Sequence, residues 1–359
     1  MFKKGVILFF LLIACIGIYL ISIPLLEDYY LSRFYSVNKK ECSYFITKNI
    51  SLEDLANDLI KAHIVEDKDA FLQIAKESDL SSSTIAKGKY IIKPKTTYKK
   101  LVWGFKKNTN GQGNAEKKVN VTIYSRKNIE ELAFDVEKCI AVDSINLINN
   151  LFSKKTQELF DFKDSNEIIS IFSPGIYKMY YDTDENKFIE FFKKKYDFFW
   201  NQKRTKRIKE LGLKDKNELI TLASIVYSEQ SKVKNEWSTI AAVYLNRLKK
   251  GMKLESDPTF KYCWGDKLDG VQRLLNKHRK IDCPYNTYNI HGLPPGPLCI
   301  IPLSVIDSVL NYKKVDYIFM CAKPNYSGEH NFASTNKEHS KNAFKYQKWI
   351  ANEQKHKNE

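Results

Sequence analysis

The sequence predicts an α+β chain in three parts: an N-terminal transmembrane helix, a small α/β module and a larger mixed α+β region. Three observations carry this reading. Residues 5–26 form one uninterrupted apolar run. Residues 38–97 show strand-like and helix-like patterns in the order strand, helix, helix, strand. From residue 98 onward, apolar residues at helical spacing recur between short β-branched runs and Pro/Gly-rich stretches. At 359 residues and 43% hydrophobic content, each part beyond the apolar run can bury a core. The net charge is +16, from 58 basic and 42 acidic residues. Such a surface favours polyanionic partners. Lys and Asn are abundant and Gly is scarce, so most of the charge is assigned to compositional drift.

The first element is the apolar run from Gly5 to Leu26, which contains no charged residue. At about 1.5 Å per residue it spans a hydrocarbon core of about 30 Å. Lys3 and Lys4 precede it, and Glu27 and Asp28 follow. The positive-inside rule then makes residues 1–4 a cytoplasmic stub and puts the rest outside. A cleaved signal peptide would need a shorter apolar core and a small-x-small site. Leu12-Ile-Ala-Cys15 has the look of a lipoprotein cleavage box, but apolar residues continue to Leu26, where a lipoprotein would turn polar. An uncleaved single-pass anchor is expected.

In the 38–97 module, Cys42 to Thr47 alternates like a strand. Ser51 and Asp54 mark a helix N-terminus, followed by an apolar face of Leu52, Leu55, Ala56, Leu59 and Ile60. A second helix is expected over Asp69–Ala75, then a turn and strand over Ile85–Pro94. This order and length resemble a LysM-like module, a fold that holds N-acetylglucosamine-containing glycans; a plain spacer domain fits the same pattern.

Residues 98–207 read as a linking α+β region. Lys106 to Lys118 is Gly/Asn/Lys-rich and reads as a hairpin tip or linker. Val119–Tyr124 is an expected strand, and Ile129–Cys139 and Ser144–Asn150 are expected helices. Ile168–Phe172 reads as a strand entering the Ser173-Pro-Gly-Ile-Tyr177 turn. Asp184–Arg207 is expected as one long helix with a core stripe of Phe188, Phe191, Phe192, Tyr196 and Phe199.

Residues 208–350 hold the candidate chemistry. Leu219, Leu222, Ala223 and Val226 give an apolar helix that ends at a single carboxylate, Glu229. A carboxylate partly dehydrated by its own helix has a raised pKa and can donate a proton near neutrality. Trp237–Lys250 is a second helix, with Tyr244 on its apolar face and Gly251 as its stop. Glu236 would share Glu229's face if the first helix continued. Asn246 and Arg247 could orient Glu229 or pair with a carboxylate. Asp257-Pro258 reads as a structural turn, or as a substrate-positioning element. The loops Pro284–Tyr288 and His291–Pro297 carry Tyr, Asn and rigid Pro, a composition suited to sugar-binding walls.

Seven cysteines are present, none in a Cys-x-x-Cys pair. Their spacing selects no disulfide pairing, and buried free thiols are expected. There is no Walker motif, no Gly-x-Gly-x-x-Gly, no His-Glu-x-x-His and no metal-ligand spacing. No cofactor or metal is expected.

Several of these segments recur together. Leu222-Ala-Ser-Ile-Val-x-x-Glu229, Tyr244-Leu-Asn-Arg-Leu-x-x-Gly-Met-x-Leu-x-x-Asp-Pro-Thr259, Pro284-Tyr-Asn-Thr-Tyr288, Gly292-Leu-Pro-Pro-Gly-Pro297 and His330-Asn-Phe332 resemble, in order, the endolytic murein transglycosylases (the MltG or YceG-like family). The resemblance covers roughly residues 170–350, and the anchor and LysM-like module fit the family's layout. It implies a YceG-like catalytic domain over residues 208–350, in a protein of the inner (plasma) membrane whose catalytic part is periplasmic. That protein would cut the β-1,4 bond between N-acetylmuramic acid and N-acetylglucosamine in peptidoglycan. The product is a 1,6-anhydro-muramyl end, and termination of nascent strand elongation is the cellular role it suggests.

Glu229 falls on the family's catalytic glutamate. Asn246, Arg247, Asp257, Tyr285, Asn286, Tyr288, Gly292, Pro295, Gly296 and His330 are the substrate-binding or orienting candidates. Where many members carry an acid two positions before the glutamate, this chain has Tyr227. The Ser173–Tyr177 loop also departs from the family pattern. Peptidoglycan strands, the membrane and wall-synthesis enzymes are the expected partners; an exported chain leaves no role for nucleic acid. Two other functions compete: a hydrolytic muramidase using Glu229, Asp257 and water, and a non-catalytic glycan-binding scaffold.

Overall fold

The computed structural model describes residues 34–47, 49–107, 118–268, 271 and 275–358. The apolar run 5–26 and the Gly/Asn-rich stretch 108–117 lie outside these residues. Among the described residues no helix is long and apolar enough to cross a membrane. The chain divides into two compact units. One comprises residues up to Val121 with 139–142 and 178–184; the other comprises 122–138, 143–177 and 185 onward.

The first unit pairs β1 (Cys42–Ile46) antiparallel with β2 (Gly88–Ile92), with Tyr44 opposite Tyr90. Between them run α1 (Leu52–Lys61) and α2 (Lys68–Glu77). The Ser51 hydroxyl accepts the Asp54 backbone N–H at 3.0 Å, which satisfies one of the donors orphaned at the start of α1. Leu55, Leu59 and Phe71 are fully enclosed in the core. That core also takes Tyr98, Val102 and Phe105 from α3 (Tyr98–Phe105), so the packed unit extends past residue 97. The Tyr98 hydroxyl accepts the Glu66 N–H at 3.0 Å, tying α3 to the start of α2.

β3 (Lys118–Ile123) pairs with β4 (Gly175–Tyr180). The second unit holds α4 (Ile129–Glu137), α5 (Ser144–Leu151) and α6 (Lys154–Phe160). Two expectations change here. Residues Ser165–Ile171 form a 3₁₀ helix instead of a strand, because Asp164 and Glu167 close a reciprocal capping box around its start. The expected long helix 184–207 is two, α7 (Glu185–Phe199) and α8 (Gln202–Glu210). Asn201 restarts the chain between them: its side chain accepts the Arg204 N–H at 3.0 Å.

The second unit is built around α9 (Lys216–Glu229), whose residues 219–226 are all buried. A helix covered on every side belongs at the centre of its domain. α10 (Trp237–Lys249) packs Ile240, Ala241 and Tyr244 against it, and α12 (Leu303–Leu310) adds Val305 and Val309. Ser224, buried within α9, donates to the Thr221 carbonyl and accepts the Leu298 N–H at 2.9 Å. Gly251 ends α10 with φ +67°, a conformation that costs glycine little. Asp257-Pro258 is the first turn of α11 (Asp257–Trp264) and not a free turn, since proline's fixed φ suits the first helical position. β5 (Phe319–Ala322) and β6 (His330–Ala333) form a hairpin covered by α13 (Asn336–Asn358).

Candidate active site

Glu229 is the last residue of α9, with Gln230 as its C-cap. Its side chain is half-buried. Tyr244, one helix away on α10, donates its hydroxyl to Oε1 at 2.6 Å. Ser256, at the start of α11, donates to the same oxygen at 2.5 Å. Among the described residues no donor reaches Oε2. Burial raises the Glu229 pKa above the ordinary glutamate value; the hydroxyls of Ser256 and Tyr244 oppose this, the charge of Asp257 adds to it, and His330 counters it. The Tyr244 hydroxyl is held protonated by its own burial and by Glu229 beside it. It therefore remains a donor.

Asp257 is engaged differently. Oδ1 accepts the Tyr288 hydroxyl at 2.5 Å, and Arg279 pairs with the carboxylate at 3.4 Å. The Arg279 guanidinium also sits 5.1 Å over the Tyr288 ring. Tyr288 thus joins its loop to α11 and to the carboxylate that biases Glu229.

A third cluster lies beyond the end of α9. Glu236 is turned toward β6 and is not on a continuation of Glu229's helix. It accepts the His330 backbone N–H at 2.8 Å and faces His330 Nδ1 at 2.9 Å. Gln230 Nε2 reaches Glu236 at 3.2 Å and the Gly328 carbonyl at 2.7 Å. The Trp237 indole donates to the Gln230 carbonyl at 2.6 Å, closing the turn after α9. This places His330 near enough to act on Glu229 through its charge.

The other expected site residues are held away from the carboxylate. Asn246 donates to the Val315 and Tyr317 carbonyls. Arg247, 7% exposed, spends its donors on the carbonyls of Ile318, Lys253 and Leu254 and on the Glu255 carboxylate. Neither side chain touches Glu229. Asn286 is fully buried; it donates to the Arg279 and Ile281 carbonyls and accepts the Tyr288 N–H, so its polar atoms brace its own loop. Tyr285 is buried against Tyr262, with ring centroids 4.5 Å apart.

Gly296 and Pro295 sit at the opposite end of α9, where the Pro295 carbonyl accepts from Asn217 at 3.1 Å. Twelve residues of helix, about 18 Å, separate Asn217 from Glu229. A Cβ on Gly296 would come within 2.9 Å of Asn166 Cβ, so its role is close packing. Gly292 has φ +86° and turns the same loop. Tyr227 hydrogen-bonds Ser125 and packs against Trp237; it stands in no carboxylate pair.

Sequence patterns missed Tyr244, which helical spacing marks only as apolar, and Ser256, whose signal is its place just before an Asp-Pro helix start. They also missed the disulfide between Cys263 and Cys283. The expectation of buried free thiols fails at this pair; Cys42, Cys139, Cys299 and Cys321 form no disulfide among the described residues and are only partly buried. Among the described residues no three His, Cys, Asp or Glu side chains gather as a metal site. A cavity of about 680 Å³, lined by Phe172, Tyr177, Phe191, Trp200 and Ile220, lies in the same unit without including Glu229.

A structure of a yceG-like protein from Listeria monocytogenes aligns with 85% of this chain and 99% of its own, with a TM-score of 0.55 and 20% identity. At that identity the likeness speaks to the fold. An endolytic murein transglycosylase of Bacillus subtilis is 42% identical over 130 residues, 36% of this chain and 34% of the relative. One of Streptococcus pneumoniae is 33% identical over 128 residues, 35% of this chain and 23% of the relative. The matched stretch thus spans about a third of the Bacillus protein's length and less of the pneumococcal one's. The model of the YceG-like family matches residues 44–345, most of the sequence, and the chain belongs to that family.

Proposed function

We propose that this chain is an endolytic lytic transglycosylase that cuts peptidoglycan strands at the β-1,4 bond from N-acetylmuramic acid to N-acetylglucosamine. The observation that carries the reading is the asymmetric setting of one carboxylate. Burial raises the Glu229 pKa, which favours its acid form, and its Oε1 is filled by two hydroxyl donors. The proton then resides on Oε2. From there it passes to the leaving glycosidic oxygen as the bond to the anomeric carbon breaks. The sugar's own 6-hydroxyl attacks that carbon, and Oε2 accepts the hydroxyl proton, which restores the acid. Atoms balance with no water consumed, and a 1,6-anhydro ring closes. The attack is intramolecular, so proximity supplies much of the barrier reduction. Proton transfer by a placed carboxyl contributes about 10²–10⁴-fold.

A hydrolytic muramidase would need a second carboxylate free to activate water or to act as nucleophile. Asp257 is the nearest candidate, and its oxygens already hold Tyr288 and Arg279. That favours the lytic route. Digestion of purified peptidoglycan in heavy-oxygen water separates the two. The lytic route yields anhydro ends without the label; labelled reducing ends would refute it. Full complementation of a deletion strain by Glu229→Gln would favour a non-catalytic scaffold.

The proposal extends to the cell. Residues 5–26 anchor the protein in the inner membrane, with the N-terminus cytoplasmic and the catalytic part periplasmic. The Cys263–Cys283 disulfide supports export, because such bonds persist in oxidising compartments. The LysM-like reading of residues 38–97 is supported by the strand–helix–helix–strand order of the first unit. In this reading the module holds glycan, and the enzyme works beside wall-synthesis enzymes to terminate growing strands.

A further inference from the structure

We propose that the Cys263–Cys283 disulfide is a positioning element of the active site, holding Ser256 on the Glu229 carboxylate, so that activity depends on the bond being oxidised. The proposal rests on the reading of Glu229 given above. Cys263 lies on α11, the helix whose start carries Ser256 and Asp257. Cys283 opens the segment that leads to Thr287 and Tyr288. The bond therefore ties together the two stretches of chain that supply and support the donors around Glu229.

Between those stretches the hydrogen bonds are short and mutual. The Ser256 N–H donates to Thr287 Oγ1 at 3.0 Å, and the Thr287 N–H donates to Thr259 Oγ1 at 3.2 Å. The two threonine hydroxyls meet at 2.8 Å, and the Tyr288 hydroxyl reaches Asp257 at 2.5 Å. Ser256, Thr259 and Thr287 are almost completely buried. One end of this ladder is Ser256 on Glu229, and the other is the disulfide. α11 and the 283–288 segment also meet through the rings of Tyr262 and Tyr285, with centroids 4.5 Å apart, and of Phe260 and Tyr288, at 5.8 Å, whereas along the chain Cys263 and Cys283 are 20 residues apart. Among the described contacts of that connection, Trp264 donates to the His278 carbonyl and Arg279 pairs with Asp257. Cleaving the bond removes the covalent tie and leaves α11 held against the 283–288 segment by hydrogen bonds and ring contacts alone, which resist a shift less. A shift of about 1 Å at a catalytic group costs about 10²-fold in rate.

Reduction takes two electrons and two protons from a dithiol, which closes to its own disulfide, and leaves both cysteines as thiols. The test uses the full chain, oxidised and dithiol-treated, with Cys263→Ser/Cys283→Ser as the partner variant. The groups facing Glu229 are Tyr244 on α10, Ser256 and Asp257 on α11 and His330 on β6. Losing the Ser256 donor raises the Glu229 pKa, so the alkaline limb of the rate profile moves to higher pH. The expected result is a kcat lower by about 10- to 100-fold on reduction, with KM little changed and that limb displaced upward. The double variant should behave like the reduced protein and ignore dithiol.

An unchanged kcat and limb after verified reduction overturn the proposal. So does a loss of rate with an unmoved limb and a fall in melting temperature, the pattern of a merely structural bond. Carbon-13 titration of the Glu229 carboxyl in both redox forms reads the same contact without turnover. If the oxidised protein makes no anhydro product, the functional reading fails. The titration still decides the positioning claim: a raised Glu229 pKa on reduction supports it, and an identical titration sinks it.

Discussion

Replacing Arg247 by methionine separates a structural role from a catalytic one. Arg247 is buried within α10, and its guanidinium holds three backbone carbonyls, those of Lys253, Leu254 and Ile318, besides the Glu255 carboxylate. Lys253 and Leu254 lead directly into Ser256, and Ile318 leads into β5. Methionine fills much of the same volume but donates nothing. Three carbonyls then lose their partners, each at about 1–3 kcal/mol if left without water. Partial rehydration at the exposed side of Glu255 softens this, and breaking a buried charged contact of this kind typically costs about 3–5 kcal/mol. Against a domain stability of about 5–15 kcal/mol, that is a large fraction. Urea unfolding followed by tryptophan fluorescence should show the unfolding free energy lower by that amount, read as a lower midpoint at a slope of about 1–3 kcal/mol per molar urea. At a temperature where the variant is still folded, its alkaline pH limb should match the parent's. An undiminished midpoint with a large loss of kcat would refute the reasoning, because it would place Arg247 in the chemistry.

Two further outcomes follow from the geometry. Tyr244→Phe removes one donor to Glu229 Oε1, and that donor stabilises the charged form. Its loss raises the Glu229 pKa, so the acid survives to higher pH and the alkaline limb of the rate profile moves upward; a limb that moves down or stays would contradict the assignment. Gly296→Ala places a Cβ 2.9 Å from Asn166 Cβ and 3.1 Å from its carbonyl. It should destabilise the unit by about 1–3 kcal/mol in chemical denaturation, whereas a neutral effect would mean that the loop can relax.

The central helix was legible in the sequence because it depends on local signals. An apolar run closed at one carboxylate reads directly as α9, and Gly251 marks the end of α10, whereas the Asp215 cap of α9 came with the structure. What surrounds Glu229 was not legible, because it depends on side chains brought from distant positions. Tyr244 sits at a core position of α10, and periodicity says where its ring goes but not that the hydroxyl finds a carboxylate 15 residues earlier. Ser256 occupies an unremarked place before Asp257, and only the fold of the 283–288 segment turns it toward Glu229. The Pro- and Asn-rich loops read as sugar walls, yet Asn286 and Gly296 are consumed in shaping the loops themselves. The break at Asn201 was hidden by continuous aromatic spacing, since a cap can interrupt a stripe without changing its period. Cysteine spacing gives no distance, so the disulfide emerged only with the fold.

The most direct test is mass spectrometry of the ends released from purified peptidoglycan by the protein and by Glu229→Gln, which keeps the shape and removes the titrating proton. The former should release 1,6-anhydro-muramyl ends, and the latter, still folded, should release them at least about 10²-fold more slowly. Anhydro ends released at an undiminished rate by Glu229→Gln would contradict this role for Glu229.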